Sequence, residues 1–188
     1  VQLPTSTEGP AGATVGLSGS EWLVSKSVLP LWDASAVQAR LWVLETVGKC
    51  GRGRLQESGE EGGIRRRRAR FVLELVEQAA PRLIQEDQAR WLEQLEDEND
   101  NIRGALQWAG EYGEAGDGEA SEIGLRLAIG LERFWQVRVH LREGLEQTVR
   151  VLAIGRPGGA TRAMALTVAG TLADICGDHT TARAMHEE

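Results

Sequence analysis

The sequence predicts an all-α fold, a solenoid of helix pairs stacked in series, with a small β-hairpin in front. Three observations carry this reading. Apolar residues recur at three- and four-residue spacing from about residue 64 to the end. The segments so defined are joined by short connections rich in Gly, Pro, Asn and Asp. Strand-like runs are confined to residues 27–44.

Residues 1–20 are rich in Gly, Pro, Ser and Thr without helical periodicity, so they bury too little apolar surface to offset their ordering entropy and are expected to be a disordered lead-in. Residues 21–26 can finish a short helix. Residues 27–32 and 40–44 are β-branched or aromatic around turn chemistry at Asp33, Ala34 and Ser35, which predicts a hairpin. From Glu45 a helix is expected, weakened by Gly48, Gly51 and Gly53, each costing about 1 kcal/mol relative to Ala.

After a break over residues 58–63, a helix is expected over 64–80, with Phe71, Leu75 and Val76 on one side and Pro81 ending it. A second, over 83–98, brings Trp91, Leu92 and Leu95 onto one stripe. Asp100 is placed to cap a third, whose apolar positions are Ile102, Ala105, Leu106, Trp108 and Ala109. A turn over 113–118 leads to helices over 123–137 and 141–154. Arg156, Pro157, Gly158 and Gly159 separate these from a last pair over 161–176 and 180–188.

The hydrophobic content of 41% permits a real core, and the formal net charge of -7 speaks against a general nucleic-acid binder, which needs a cationic face to release counterions. Cys50 and Cys176 fit no metal-ligand spacing and read as free thiols in a reducing compartment, with cytoplasm as the expectation. No apolar run reaches the roughly 18 residues of a membrane span, and residues 1–20 lack the pattern of a signal peptide. The start at Val1 and the stop at Glu188 inside a helical pattern predict that both ends are cuts.

The final pair carries Leu166, Gly170, Ala173, Gly177, Asp178, His179 and Ala182 in a pattern that resembles a tetratricopeptide repeat. Small residues there let two helices approach, and Gly177 permits the turn between them. Residues 125–152 look like a degenerate earlier copy, with Gly144 in the small position and Val139 where the turn glycine would stand. Over a wider span, residues 23–29, 44–47, 57–60, 91–96 and 100–109, followed by Arg133, Phe134 and Trp135, occur in an order that resembles the region after the nucleotide-binding core of large bacterial signal-transduction ATPases. These include LuxR-type and antibiotic-pathway (SARP-like) transcriptional regulators.

The resemblance covers about residues 21–188. It implies a winged-helix remnant over 21–58, a helical arm over 59–118 and tetratricopeptide-like pairs over 119–188, truncated at the C-terminus. It further implies a sensor segment coupled to other domains of the same polypeptide. The sequence departs from that pattern at Gly48, Gly51 and Gly53, which interrupt a normally continuous helix, and in residues 1–20, which do not resemble the first helices of a winged-helix module.

No phosphate-cradling glycine loop with Lys and Ser or Thr is present, so no cofactor is expected in this segment and ATP belongs to another domain of the parent protein. The acidic run from Asp97 to Asn101 lacks the glycine and the closing glutamate of a calcium loop, and reads as a helix junction. His140, His179 and His186 with Cys176 form no metal pattern, and no Ser-His-Asp or Cys-His set is recognisable, which predicts a non-catalytic chain. Trp91, Trp108, Phe134 and Trp135 fall on apolar stripes and read as core. The one basic run, Arg65, Arg66, Arg67 and Arg68, could touch phosphate, but Glu57, Glu60 and Glu61 precede it and an exposed helix start is the simpler reading. The expected partner is a protein, peptide or small effector on the helical face. The alternative is a DNA-contacting accessory acting through the winged-helix remnant and the arginine run.

Overall fold

The computed structural model describes residues 31–32, 40–41, 61–154 and 159–188. The chain divides into two units, Val1–Gly59 and Glu60–Glu188. In the first, strand β1 (Leu31–Trp32) pairs antiparallel with β2 (Arg40–Leu41), Leu31 opposite Leu41 and Trp32 opposite Arg40. The expected lead-in over 1–20, the rest of the winged-helix remnant and the weak helix after Glu45 lie outside the described residues, as do Cys50, Arg156, Pro157 and Gly158.

The second unit is all helix: α1 (Glu61–Ala79), a 3-10 turn (Ala80–Ile84), α2 (Gln88–Asp97), α3 (Asn99–Glu114), α4 (Gly118–Val137), α5 (Leu141–Ile154), α6 (Ala160–Cys176) and α7 (His179–Glu187). Each of α3 to α6 packs on its successor in sequence, while α3 also meets α5 and α4 meets α6, the contact pattern of a helical repeat. Named contacts give the directions. Tyr112 lies beside Gly62 and Glu111 pairs with Arg65, so α1 and α3 run antiparallel. Arg70 meets Glu119 and Glu77 meets Arg126, so α1 and α4 run parallel. Arg103 meets Glu143 and Gly113 meets Ile154, so α3 and α5 do too. Six of the seven helices therefore form three pairs, α1/α3, α4/α5 and α6/α7, with α1, α4 and α6 in one row and α3 and α5 in the other, while α2 packs on the 3-10 turn beside α1 and α3.

The core between the rows is aliphatic and aromatic. Val76, Leu83, Leu95, Leu125, Leu131 and Phe134 are fully buried. Trp108 and Trp135 are buried too, Trp108 stacking on Tyr112 at 5.4 Å. Trp91 is half-buried and donates its indole N–H to Asp87 at 2.9 Å. Close helix approach is set by missing side chains: a Cβ at Gly130 would lie 2.5 Å from Val76 Cγ1, and one at Gly144 would lie 2.6 Å from the Trp135 ring.

Several boundaries differ from expectation. Helix α1 begins at Glu61, taking in Gly62 and Gly63. Its buried residues are Ala69, Val72, Leu73, Leu75, Val76 and Ala79, so Leu75 and Val76 pack as expected while Phe71 is left outside, 55% exposed. The expected helix over 83–98 is two pieces, because Gln85 takes an extended backbone (φ -114°, ψ 179°) that closes the 3-10 segment burying Leu83, and α2 starts only at Gln88. Asp100 is not the cap of α3: it lies in the first turn, 98% exposed, behind Glu98. Helix α4 starts earlier than expected because Asp117 caps it, accepting from the N–H groups of Glu119 and Ala120 at 3.0 and 3.1 Å. Gly113 belongs to α3 rather than to the turn.

The turns repeat one device. Helices α3, α4 and α6 are followed by Gly116, Val139 and Gly177 at positive φ (91°, 62° and 80°). In each case the next N–H reaches back five residues: Asp117 to the Tyr112 carbonyl, His140 to Trp135 and Asp178 to Ala173, at 2.9–3.0 Å. Val139 thus occupies the place of the turn glycine in the left-handed conformation itself.

Candidate functional site

The row α1, α4, α6 presents a groove. A hollow of about 320 Å³ opens between the three helices, lined by Glu77 and Ala80 on one wall, Glu122, Arg126 and Ile129 on α4, and Met164 on the other wall. The local sequence explains the arrangement. On α4, Leu127, Leu131 and Phe134 face the core, while Arg126, Ile129, Arg133 and Val137 follow the opposite stripe at three- and four-residue spacing. On α6, Ala165, Ala169 and Leu172 face inward and leave Met164 and Ile175 exposed, 54% and 51%.

Polar contacts frame the hollow. Arg126 Nε donates to Glu77 Oε1 at 2.8 Å, and Thr161 Oγ1 donates to Glu122 Oε1 at 3.2 Å. These bonds tie α1 to α4 and α4 to α6, so they fix the width of the groove as well as its rim. The floor is apolar, with Ile129 half-buried. Such a surface accepts an apolar side chain flanked by polar groups. The residues that line it were not singled out from the sequence. The available signal was an apolar residue off the main stripe, as Ile129 and Met164 are, which by spacing alone reads as the margin of a wide core stripe.

The residues singled out for repeat packing are distributed as follows. Leu166, Gly170 and Ala173 are buried on α6, Ala182 is buried on α7, and Gly177 ends α6 in the left-handed conformation. Gly170 faces the imidazole of His186, which a Cβ there would approach to 2.4 Å; Ala182 stands one turn earlier on α7. Asp178 caps α7 through the Thr181 N–H at 3.0 Å and the Thr181 hydroxyl at 2.6 Å. These bonds hold its carboxyl below the ordinary carboxylate value.

The arginine run is engaged within the chain. Arg65 pairs with Glu111 at 2.8 Å, and its hydrogen bond holds the Glu111 carboxyl below its usual range. Arg66 meets Asp117 and, at 3.5 Å, Glu119, while Arg68 donates to Asn101. Arg67 is exposed. The histidines are dispersed: His140 lies 3.5 Å from Glu96, and His179 and His186 flank Asp174 at 3.2 and 4.0 Å. Cys176 is a free, partly exposed thiol. Among the described residues no helix is long and apolar enough to cross a membrane.

Fold and groove together define an all-α helical-repeat protein. No family model matches the chain, and no solved structure matches it at a comparable level. Its curated relatives include proteins of Mycobacterium bovis and of two Mycobacterium tuberculosis strains, each provisionally named an HTH-type transcriptional regulator. Each is 33% identical over 123 residues, 65% of this chain. The chain spans 13% of the length of these relatives.

Proposed function

We propose that this chain is a non-catalytic interaction segment of a multidomain transcriptional or signalling regulator, receiving a protein, peptide or small effector in the groove of the α1, α4, α6 row. The observation that carries the proposal is that groove: an apolar lining of Ala80, Ile129 and Met164, framed by the Arg126–Glu77 pair, on a helical-repeat scaffold. Similarity to provisionally named HTH-type transcriptional regulators, of whose length the chain spans 13%, supports a regulatory setting; nucleotide chemistry is assigned to another domain and the segment to the cytoplasm as part of the same proposal. In this reading, binding in the groove shifts the balance between states of the larger protein through differential affinity.

The experiment is selection of peptides from a displayed library against the chain, with Ile129→Glu/Met164→Glu as the counter-target. Selected peptides are expected to carry an apolar anchor, to perturb the NMR signals of Ile129 and Met164, and to lose binding to the counter-target. Peptides that bind both proteins equally, or that perturb only residues outside the groove, overturn the proposal.

A further inference from the structure

The charges along the groove of the α1, α4, α6 row are not evenly matched. Two pairs cross between the parallel helices α1 and α4, Arg70 with Glu119 and Glu77 with Arg126. Between these two crossings stand Glu74 on α1 and Glu122 on α4. Glu74 is exposed, and Glu122 is half-buried on the wall of the hollow, where the Thr161 hydroxyl donates to it at 3.2 Å. Neither carboxylate belongs to an ion pair among the described residues.

The other end of the groove carries the opposite sign. Arg133 follows Glu122 and Arg126 on the outward stripe of α4, between Ile129 and Gly130, the latter facing Val76 and Ala80 on α1. It is exposed, and its contact among the described residues is the neutral Gln136 amide at 3.4 Å. Glu132, its neighbour in sequence, does not share its face and accepts from Gln136 at 3.1 Å. The groove stripe of α6, continuing from Thr161 and Met164 through Val168 to Thr171 and Ile175, is uncharged. From the start of α4 to its end, the open side thus runs from acid through the apolar hollow to base. Glu122 and Arg133 lie about 16 Å apart along the helix axis, with Ile129 about 10 Å from the first and about 6 Å from the second.

We infer that the groove accepts an extended peptide in which a basic and an acidic side chain flank one apolar anchor, the base meeting Glu74 and Glu122 and the acid meeting Arg133. At roughly 3.3 Å per extended residue, the base falls about three residues to one side of the anchor and the acid about two to the other, in either chain direction. Arg126 is already engaged by Glu77, so Arg133 is the cation that an incoming carboxylate meets without displacing a partner. Charges at such a rim select and orient a ligand more than they hold it. The inference rests on the groove being the binding site and adds to that reading the order of charges its ligand must carry.

The test repeats the peptide selection on the whole chain and on two charge-reversed forms, Arg133→Glu and Glu74→Lys/Glu122→Lys, whose melting points check folding. Peptides that need Ile129 and Met164 are expected to carry a base and an acid on opposite sides of the anchor, and to lose about fivefold or more in affinity for each reversed form. Selection against Arg133→Glu should return a base in place of the acid. On the unaltered chain, a nitroxide at the peptide's acidic end should broaden the NMR signals of Val137 and Ile175, and one at its basic end that of Thr161, a readout independent of the variants. Peptides that need Ile129 and Met164 yet bind the reversed forms within twofold, or that broaden these signals in the opposite order, overturn the inference and leave the groove as a binding site. Failure to select any peptide that needs those two residues overturns both.

Discussion

Replacing Gly144 by Ala tests the helix spacing directly. A Cβ at this position would lie 2.6, 2.7 and 2.8 Å from three carbons of the Trp135 indole. Carbon atoms in contact settle at about 3.5–4.0 Å, so ring and helix must separate by roughly 1 Å. Trp135 is 2% exposed in the α4/α5 contact and cannot swing into solvent. Overpacking of this kind costs about 1–3 kcal/mol, and a rigid ring places the site toward the upper end. Against this stands the helix preference of Ala over Gly, about 1 kcal/mol. The net expectation is a loss of about 1–2 kcal/mol, which for a domain of this size lowers Tm by roughly 3–8 °C. Gly104→Ala on α3 is the control, since nothing lies within 4 Å of its Cβ position. There the propensity gain acts alone, and stability is expected to rise by about 0.5–1 kcal/mol. Urea unfolding followed by circular dichroism measures both. If Gly144→Ala stabilises the chain as Gly104→Ala does, α4 and α5 are not in the close contact described.

Val139→Gly is expected to raise stability by about 0.5–1 kcal/mol, because a β-branched residue at φ 62° carries roughly 1–2 kcal/mol of strain that exceeds the entropy cost of Gly; a lowered urea midpoint would contradict the shared turn geometry. Glu143, hydrogen-bonded at 2.5 and 2.8 Å by Arg103, has its carboxyl held below the usual value of 4.5. Because the folded-state value is the depressed one, this pair stabilises fully above about pH 4.5 and loses its contribution as pH falls through the folded value. Discounted for the 49% exposure of Arg103, the effect is about 0.2–1 kcal/mol, and Glu143→Gln should flatten the acid limb of the stability curve by that amount in a pH series of melts. Substituting Arg65, Arg66, Arg67 and Arg68 together by Ala is expected to lower Tm through the lost contacts while leaving any weak DNA association in a salt titration unchanged; a slope reduced by several units would mean the run reads phosphate.

The sequence made the helical architecture legible wherever the apolar stripe was the only constraint. Helix α5 begins and ends where its periodicity does, and α6 and α7 fall within a residue of expectation at each end. Boundaries moved where another group outcompeted the pattern. Asp117 supplied acceptors that let α4 start before its first large apolar residue, and the extended backbone at Gln85 split one expected helix into a 3-10 turn and a separate α2. Phe71 was misread because a stripe in which Val72, Leu73 and Val76 are also apolar has no unique margin in one dimension. The groove was not legible for a related reason. It is made by three helices distant in the chain, and the register that brings Glu77 to Arg126 depends on tertiary packing at Gly130, where a missing Cβ admits Val76.

The arginine run shows how packing engages side chains whose sequence pattern permits two readings. An arginine available to phosphate must exchange water for the ligand alone, whereas Arg65, Arg66 and Arg68 would first have to give up partners on α3 and at the start of α4. Arg66 also shares Asp117 with the cap of α4, so drawing it toward an outside anion would loosen the first turn of that helix. The same contacts join α1 to α3 and α4, the three helices from which the repeat begins. Together with Arg126 on Glu77 and Arg103 on Glu143, they stitch the first pair to the second along both rows. The run that looks most like a nucleic-acid contact in the sequence thus also serves, in the folded chain, to join α1 to α3 and to the start of α4.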